Sequence, residues 1–539
     1  MHVLTPTLRW VLPALVFLPL ALPLRAQTTP SPIQEFGIPN LPAHSLLGWA
    51  VTGLSDLDED GLDEIAIGVP GVNTASGGVL VISGAFDDGT ELASPVPQVS
   101  GQFGYALARV RRPGLENAVV LAIGAPGESV NGQSAAGHTY LLVQDLSPTP
   151  VASPNVEPGG LFGHAVAGAG DPQGVGLAGL LVGAPGESPG NVSEAGRAYL
   201  YTFVGNPVTL EPANPVPDGH FGWAVGGLGD IDDDGADEVL VGAPSEDVQG
   251  IARAGRVYGF YGDGSPLGNV VSPTPEADGG FGFAVAGVGD VNGDGVPDFL
   301  IGAPGEDGGR GRVYLFDGGA ADLIATFTSP SPQSQNFGWA VAGVPDLNGD
   351  GAAEVLIGAP YDTNNQRGRA YVFSGATQAL LARLDSGNGE AQGGFGWSVG
   401  VVGDVTGDDR ADLLVGAPAE DPGGEADNTG RVYVFSSEAA VPVAAEPTAG
   451  IPSAFTLGAA YPNPFNPQTT VPFTLEANGP VRLAVYDALG REVAVLVDEV
   501  RAAGTHTVVF DAAGLPSGAY LVRLAAGGAV QTRTLTLLR

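Results

Sequence analysis

Apolar runs and polar turns alternate along most of the chain in a pattern that recurs seven times. Each unit opens on Phe-Gly, an aromatic residue and Ala-Val, then passes through a turn into an apolar run ending in Gly-Ala-Pro. A Gly-Arg-Val-Tyr stretch and a second apolar run complete it. The opening pairs are Phe103-Gly104, Phe162-Gly163, Phe221-Gly222, Phe281-Gly282, Phe337-Gly338 and Phe395-Gly396, with Leu47-Gly48 as the first copy. Their spacings are 56, 59, 59, 60, 56 and 58 residues. A fixed period of this length is the mark of a repeat architecture. In the fifth unit the pattern predicts strands over Phe281–Val288, Asp298–Gly302, Gly311–Phe316 and Leu323–Phe327, each rich in Val, Leu, Phe or Tyr and bounded by turn formers. Four strands per unit and seven units predict an all-β fold, a seven-bladed β-propeller over residues 27–436. A solenoid is the alternative, but its repeats are usually shorter. Glycine at each opening pair allows close packing near a crowded axis.

The seventh unit supplies no obvious fourth strand after Phe435. The unassigned segment Pro32–Pro42 is expected to close the ring as the outer strand of that blade, removing an open edge.

The two ends read differently. Arg9 precedes an apolar run from Trp10 to Leu24, interrupted by Pro13, Pro19 and Pro23, and Arg25-Ala26-Gln27 offers a processing site. Residues 1–26 are expected to be a signal peptide and not a membrane span. No other segment is long and apolar enough to cross a bilayer, so the mature chain is expected to have no transmembrane segment. Residues 437–458 form an Ala/Pro/Glu linker, and alternating strands with Gly, Pro and Asn turns over 459–539 predict a small β-sandwich.

Five of the polar turns carry more oxygen than a hairpin needs. Between the first and second strands stand Asp56, Asp58, Asp60 and Glu64 in the first unit, and Asp230, Asp232, Asp234 and Glu238 in the fourth. The fifth unit has Asp290, Asn292, Asp294 and Asp298; the sixth has Asp346, Asn348, Asp350 and Glu354; the seventh has Asp404, Thr406, Asp408 and Asp412. The oxygens fall at positions 1, 3, 5 and 9 of each loop, usually with glycine at 6. Calcium wants roughly six to eight oxygens at about 2.3–2.6 Å, and magnesium prefers a rigid octahedron and dehydrates reluctantly. The carbonyl at position 7 (Leu62, Ala236, Val296, Ala352, Arg410) offers a further ligand. The plainer reading is a solvated hairpin turn. Five loops in phase, each with a closing carboxylate, favour about five structural Ca2+ sites. Units two and three break the pattern, with Arg112-Pro-Gly-Leu-Glu116 and Asp171-Pro-Gln173-Gly, and are expected to hold no ion.

Composition narrows the partners. The formal net charge is −38, and no basic patch with interleaved aromatics occurs, which excludes a nucleic-acid binder. Five calcium ions would bring the formal charge to −28. With no cysteine, disulfides, thiolate metal sites and cysteine catalysis are excluded.

Phe-Gly, the Asp-x-Asp/Asn-x-Asp-Gly loop and Gly-Ala-Pro together resemble the FG-GAP repeats of integrin α-subunit propellers, over roughly residues 32–436. That resemblance implies a seven-bladed propeller with calcium in hairpin loops on the lower face, and ligand binding on the opposite face with a partner subunit. Near the C-terminus stand Tyr461-Pro462-Asn463-Pro464-Phe465-Asn466-Pro467, Val485-Tyr486-Asp487-Ala488-Leu489-Gly490-Arg491 and Leu515-Pro516-Ser517-Gly518-Ala519-Tyr520. They resemble the type A C-terminal sorting domain of the type IX secretion system. The resemblance implies the type IX secretion machinery as a partner, export across both membranes, and release or attachment at a bacterial cell surface.

No HExxH, GxSxG or P-loop occurs. Glu187, Glu246, Glu306 and Glu420 follow the Gly-Ala-Pro proline, and Arg197, Arg256, Arg312 and Arg431 open the third strands. An element copied in four units is read as structural Glu–Arg pairs across the second hairpin, which a separation above about 6 Å would reject. Trp49, Trp223, Trp339 and Trp397 are expected to pack between blades, with a sugar-binding surface as the alternative. His164 and His220 read as tolerated substitutions. The expected function is a secreted or surface binding, adhesion or scaffold module with an unknown protein or glycan ligand, and not an enzyme. A polysaccharide lyase or hydrolase using the propeller centre and a surface-layer component are the alternatives.

Overall fold

The computed structural model describes residues 32–437 and 455–538 except 33, 38–40, 58–59, 85, 87–88, 112–118, 144–146, 203–205, 363–364, 409, 422–427, 458–459, 462, 464, 476–478, 488–490, 503 and 527–528. The expected signal peptide, most of the linker, Asp58 and the Arg112–Glu116 turn lie outside the described residues.

The described residues are almost all strand and turn, in two compact units, residues 1–443 and 444–539. In the first unit seven four-stranded antiparallel sheets follow one another along the chain. The fourth is typical, with Ala224–Gly229, Glu238–Ala243, Arg256–Phe260 and Pro266–Val271 paired in sequence order. The first strands of consecutive sheets touch, and Val51–Gly53 of the first touches Ser398–Val402 of the seventh, so the series closes on itself. This is consistent with a β-propeller.

The seventh sheet takes its fourth strand from the other end of the unit. Gln34–Phe36 pairs antiparallel with Arg431–Phe435 in the register Gln34↔Val434 and Phe36↔Val432. Glu35 forms an ion pair with Arg431 and accepts a hydrogen bond from Asn388 Nδ2 at 3.0 Å.

Sheets stacked face to face explain why the second strands read as unbroken apolar runs. Every residue of Glu238–Ala243 is buried, and so is every residue of the equivalent strands Asp298–Ala303, Glu354–Ala359 and Asp412–Ala417. Both faces of each strand meet a neighbouring sheet. Leu300, Val313 and Leu315 of the fifth sheet, for instance, share a cluster with Phe337, Val355 and Ile357 of the sixth. The first residue of each of these strands is a carboxylate, so each sheet buries one acid at a fixed place.

The Phe-Gly and Gly-Ala-Pro motifs meet across the sheet boundary. Phe221 is fully buried, and Gly222 adopts φ +89°. A Cβ on Gly183 of the third Gly-Ala-Pro would lie 1.9 Å from the Gly222 carbonyl oxygen. Neither position tolerates a side chain. This pairing shortens the predicted first strand of the fifth unit. It begins at Ala284 rather than Phe281, because Gly282 at φ +90° turns the chain while Phe281 bridges to Gly255 of the preceding sheet.

In the second unit two antiparallel sheets share one core. One orders Phe455–Leu457, Gln468–Leu475 and Gly504–Asp511; the other contains Glu492–Arg501, Gly479–Asp487, Gly518–Ala526 and Ala529–Leu537. Phe473, Phe510, Leu483 and Leu524 are among its fully buried residues. The expected linker is therefore shorter than 437–458. The β-favouring triplet Phe455–Leu457 pairs with Phe473–Leu475 as an edge strand.

Candidate metal loops and the opposite face

Each oxygen-rich turn is built by its own first aspartate. In the fourth unit Asp230 accepts the backbone N–H of Asp234 at 3.2 Å and of Gly235 at 2.9 Å, and Asp234 accepts that of Ala236 at 2.8 Å. The sixth unit repeats this with Asp346, which accepts from Gly349 at 2.7 Å and Gly351 at 2.8 Å, while Asp350 accepts from Ala352 at 3.0 Å. Asp56, Asp290 and Asp404 curl their loops the same way. At position 7 the N–H of Leu62, Val296 and Arg410 likewise binds the position-5 carboxylate, of Asp60, Asp294 and Asp408.

The ninth residue closes the loop from beneath. Glu238, Asp298, Glu354 and Asp412 are fully buried, and Glu64 nearly so. Each accepts the N–H of the residue at position 2: Leu57 at 2.7 Å, Ile231 at 3.0 Å, Val291 at 2.8 Å, Leu347 at 2.6 Å and Val405 at 3.2 Å. Glu238 keeps its other oxygen, Oε1, buried with no hydrogen bond. Burial, then repulsion from Asp232, Asp234 and Asp230, pushes its carboxyl up to about 7. Glu354 is pushed up to about 7 by burial and the charges of Asp346 and Asp350. Asp412 is raised to about 7 by burial, with Asp408 and Asp404 adding to it. A cation at this point would relieve both the desolvation and the repulsion.

Carboxylate oxygens of Asp230, Asp232 and Glu238 lie within 4.8 Å of one another, as do those of Asp346, Asp350 and Glu354. Asp234 is not part of the first cluster, and the first, fifth and seventh loops show no such triad among the described residues. In the fifth and sixth loops an amide occupies position 3. Asn348 donates to Glu354, and Asn292 Nδ2 donates to Asp317 at 3.0 Å.

Asp317 exposes a contributor missed in the sequence. In the first, fifth, sixth and seventh units a residue at the end of the third strand, or just beyond it, reaches the loop. Ser83, Ser374 and Ser436 donate to Asp60, Asp350 and Asp408 at 3.5, 3.4 and 3.2 Å. The signal was a polar residue closing the third apolar run of these units, hidden because it changes between Ser and Asp.

The third unit shows what the turn does without the ligand set. Asp171 accepts from Val175 at 3.2 Å and Gly176 at 2.5 Å, so the same curl forms. Gly179 stands at position 9 and no carboxylate closes the loop. The curl itself thus forms on the first aspartate, and position 2 here is Pro172, which has no N–H for a ninth acid to accept.

On the second hairpins the Glu–Arg pairs form. Glu187–Arg197 lies at 3.2 Å, Glu246–Arg256 at 3.0 Å, Glu306–Arg312 at 3.4 Å and Glu420–Arg431 at 3.9 Å. Asp362–Arg369 at 3.7 Å and Glu128–His138 at 2.8 Å extend the series to units six and two. The acid also accepts the hydroxyl two residues beyond the basic one, as in Tyr199 with Glu187 and Tyr140 with Glu128. A serine of the preceding sheet completes some of these knots: Ser153 Oγ donates to Glu187 at 2.5 Å. The knots therefore tie sheets together. Arg197→Ala is expected to destabilise the unit by about 3 kcal/mol, because Glu187 stays buried without its cation. Combining it with Glu187→Leu should recover most of that loss in thermal denaturation.

The residues after each opening glycine form a closed circuit of rings. Trp49, Tyr105, His164, Trp223, Phe283, Trp339 and Trp397 contact in that order, at centroid distances of 5.3, 5.2, 4.5, 5.6, 4.6 and 4.8 Å, and Trp397 returns to Trp49 at 4.7 Å. All seven are half-buried. The tryptophans therefore pack between sheets, and His164 is one member of the circuit. Its ring is pushed down to about 4, chiefly by burial. The circuit lies at the start of the first strands, whereas the carboxylate loops lie at their far ends.

Residues 221–260, 281–316, 337–373 and 395–435 match the FG-GAP repeat, and residues 459–537 match the secretion system C-terminal sorting domain. The chain is 37% identical to human integrin alpha-7 over 151 residues, 26% of this chain and 12% of that protein. It is 34% identical to Drosophila melanogaster integrin alpha-PS2 over 161 residues, 26% of this chain and 11% of that one. Human phosphatidylinositol-glycan-specific phospholipase D is 30% identical over 227 residues, 38% of this chain and 27% of the enzyme. The chain thus matches only a minor part of the length of these relatives.

The chain thus carries four FG-GAP repeats and a secretion system C-terminal sorting domain, and integrin α-subunits are among its homologues. Its sorting domain indicates export by type IX secretion to the cell surface or the extracellular space. No helix among the described residues is long and apolar enough to cross a membrane.

Proposed function

We propose that the first unit is a seven-bladed, calcium-braced propeller that works outside the cell as a binding or adhesion module and not as an enzyme. A signal peptide over residues 1–26 would begin export, and the C-terminal unit, with an immunoglobulin-like sandwich fold, would engage the secretion machinery. One observation carries the calcium reading. Five units place a buried carboxylate under an oxygen-rich loop, while the third unit makes the same turn without one. Asp230, Asp232 and Glu238, and Asp346, Asp350 and Glu354, would hold the ion, with the carbonyls of Ala236 and Ala352 completing the oxygen set. Calcium there would neutralise the acids and tie the first and second strands together. The first, fifth and seventh loops would do the same, the last with Thr406 in place of an acid.

The binding role rests on the integrin α homologues and on structural elements repeated from sheet to sheet. The phospholipase match favours a second reading, an enzyme centred on the propeller. Incubating the full chain with matrix proteins, glycans and polysaccharides, with calcium and with chelator, separates the two. Calcium-dependent binding without turnover is expected; cleavage of a polysaccharide or phospholipid would overturn the reading.

A further inference from the structure

Between the fourth and fifth sheets, beside the ring circuit, lies a cleft of about 340 Å³ lined by Trp223, Pro244, Ser245, Arg253, Asp278 and Phe283. Its volume is in the range of small-molecule sites. The Trp223 and Phe283 rings stand 5.6 Å apart and tilted by 48°, so they present two apolar faces at an angle. At the rim Arg253 pairs with Asp278, both well exposed. Ser245 Oγ contacts His220 Nδ1 at 3.0 Å.

We propose that this cleft is a saccharide site for a neutral pyranose, a specificity that rests on the reading of the chain as a binding module. A pyranose has an apolar C–H face and an edge of hydroxyls. Aromatic faces suit the first. A guanidinium beside a carboxylate suits the second, offering donors and an acceptor side by side to neighbouring hydroxyls. The charges at the rim cancel, so nothing there selects an ion. A chain at −38 repels a uronate or sulfated sugar, and Arg253 repels a cation. The loops are held before a ligand arrives: Arg253 N–H is bound by Asp247 at 2.9 Å and Asp278 N–H by the Ala252 carbonyl at 2.9 Å. Such pre-organisation lowers the ordering cost of binding. A cleft of about 400 Å³ between the first and second sheets repeats the plan with Trp49, Tyr105, Pro70, Thr74 and Gln102, without the ion pair.

The test is calorimetric titration of the full chain, in calcium, with methyl glucoside, galactoside, mannoside and N-acetylglucosaminide, their neutral oligosaccharides, and oligouronates. At least one neutral sugar should bind, and oligouronates should not. Affinity should fall at least tenfold in Trp223→Ala and in the exposed double variant Arg253→Ala with Asp278→Ala, while Trp397→Ala, whose ring touches neither Trp223 nor Phe283, retains it. No heat from any neutral saccharide, or binding indifferent to the double variant, overturns the site. Binding of a matrix protein without any saccharide would leave the binding module standing and remove this inference alone.

Discussion

Deleting residues 32–42 is expected to lower Tm by about 10 °C or more and to make the protein aggregate on heating. The strand Gln34–Phe36 is short, but it covers the outer edge of the seventh sheet. Without it Val432 and Val434, both fully buried, lose Phe36 and Leu41 from their cluster. Arg431 loses Glu35, leaving it to share the buried Glu420 with Tyr433. The seam would then rest on the contacts of the first repeat itself, such as Leu47 N–H to the Thr429 carbonyl at 2.9 Å and Ser398 Oγ to the Gly48 carbonyl at 2.8 Å. A shorter deletion ending before residue 32 should leave Tm unchanged, which separates loss of the strand from loss of the residues before it.

Calcium removal is expected to have an effect of similar size. An ion that binds only the folded state stabilises it by about 2.7 kcal/mol at one hundred times its Kd. For a unit of ~400 residues the entropy of unfolding is about 0.8 kcal/mol/K, so five filled loops would raise Tm by ~15 °C over chelator. Magnesium at the same concentration should recover only a small part. Glu238→Gln and Glu354→Gln should each reduce the calcium-dependent shift and leave the Tm in chelator nearly unchanged or higher, since a neutral amide escapes the repulsion of the loop aspartates. An equal Tm in chelator and in millimolar calcium would contradict the calcium reading.

The repeat made much of this legible in the sequence. Copies of Phe-Gly and Gly-Ala-Pro carry their spatial meaning with them, because the glycines sit where two sheets approach within van der Waals contact. Four strands per unit followed from turn formers, and only the start of the first strand was misplaced, where the Phe-Gly turn overrides an apolar pattern. The buried ninth carboxylate was legible from spacing alone. Contacts between units were not. Tyr199 on Glu187, Ser153 of the preceding sheet on the same acid, and Asp317 over the fifth loop depend on which strands become neighbours, and no local pattern states that. The ring circuit was half visible: four tryptophans stood at one phase, but Tyr105, His164 and Phe283 belong to it by position, whatever their chemistry. Asp362 and His138 were missed for the same reason, since the fold preserves the contact while the residue type changes.

Bound calcium per chain, measured by metal analysis after dialysis against a known free concentration, tests the closing carboxylates most directly. Five ions are expected, falling to four in Glu238→Gln and again in Glu354→Gln, with no loss in Asp171→Asn of the third unit. No bound calcium, or a count that ignores Glu238 and Glu354 and follows Asp171, would contradict the assignment.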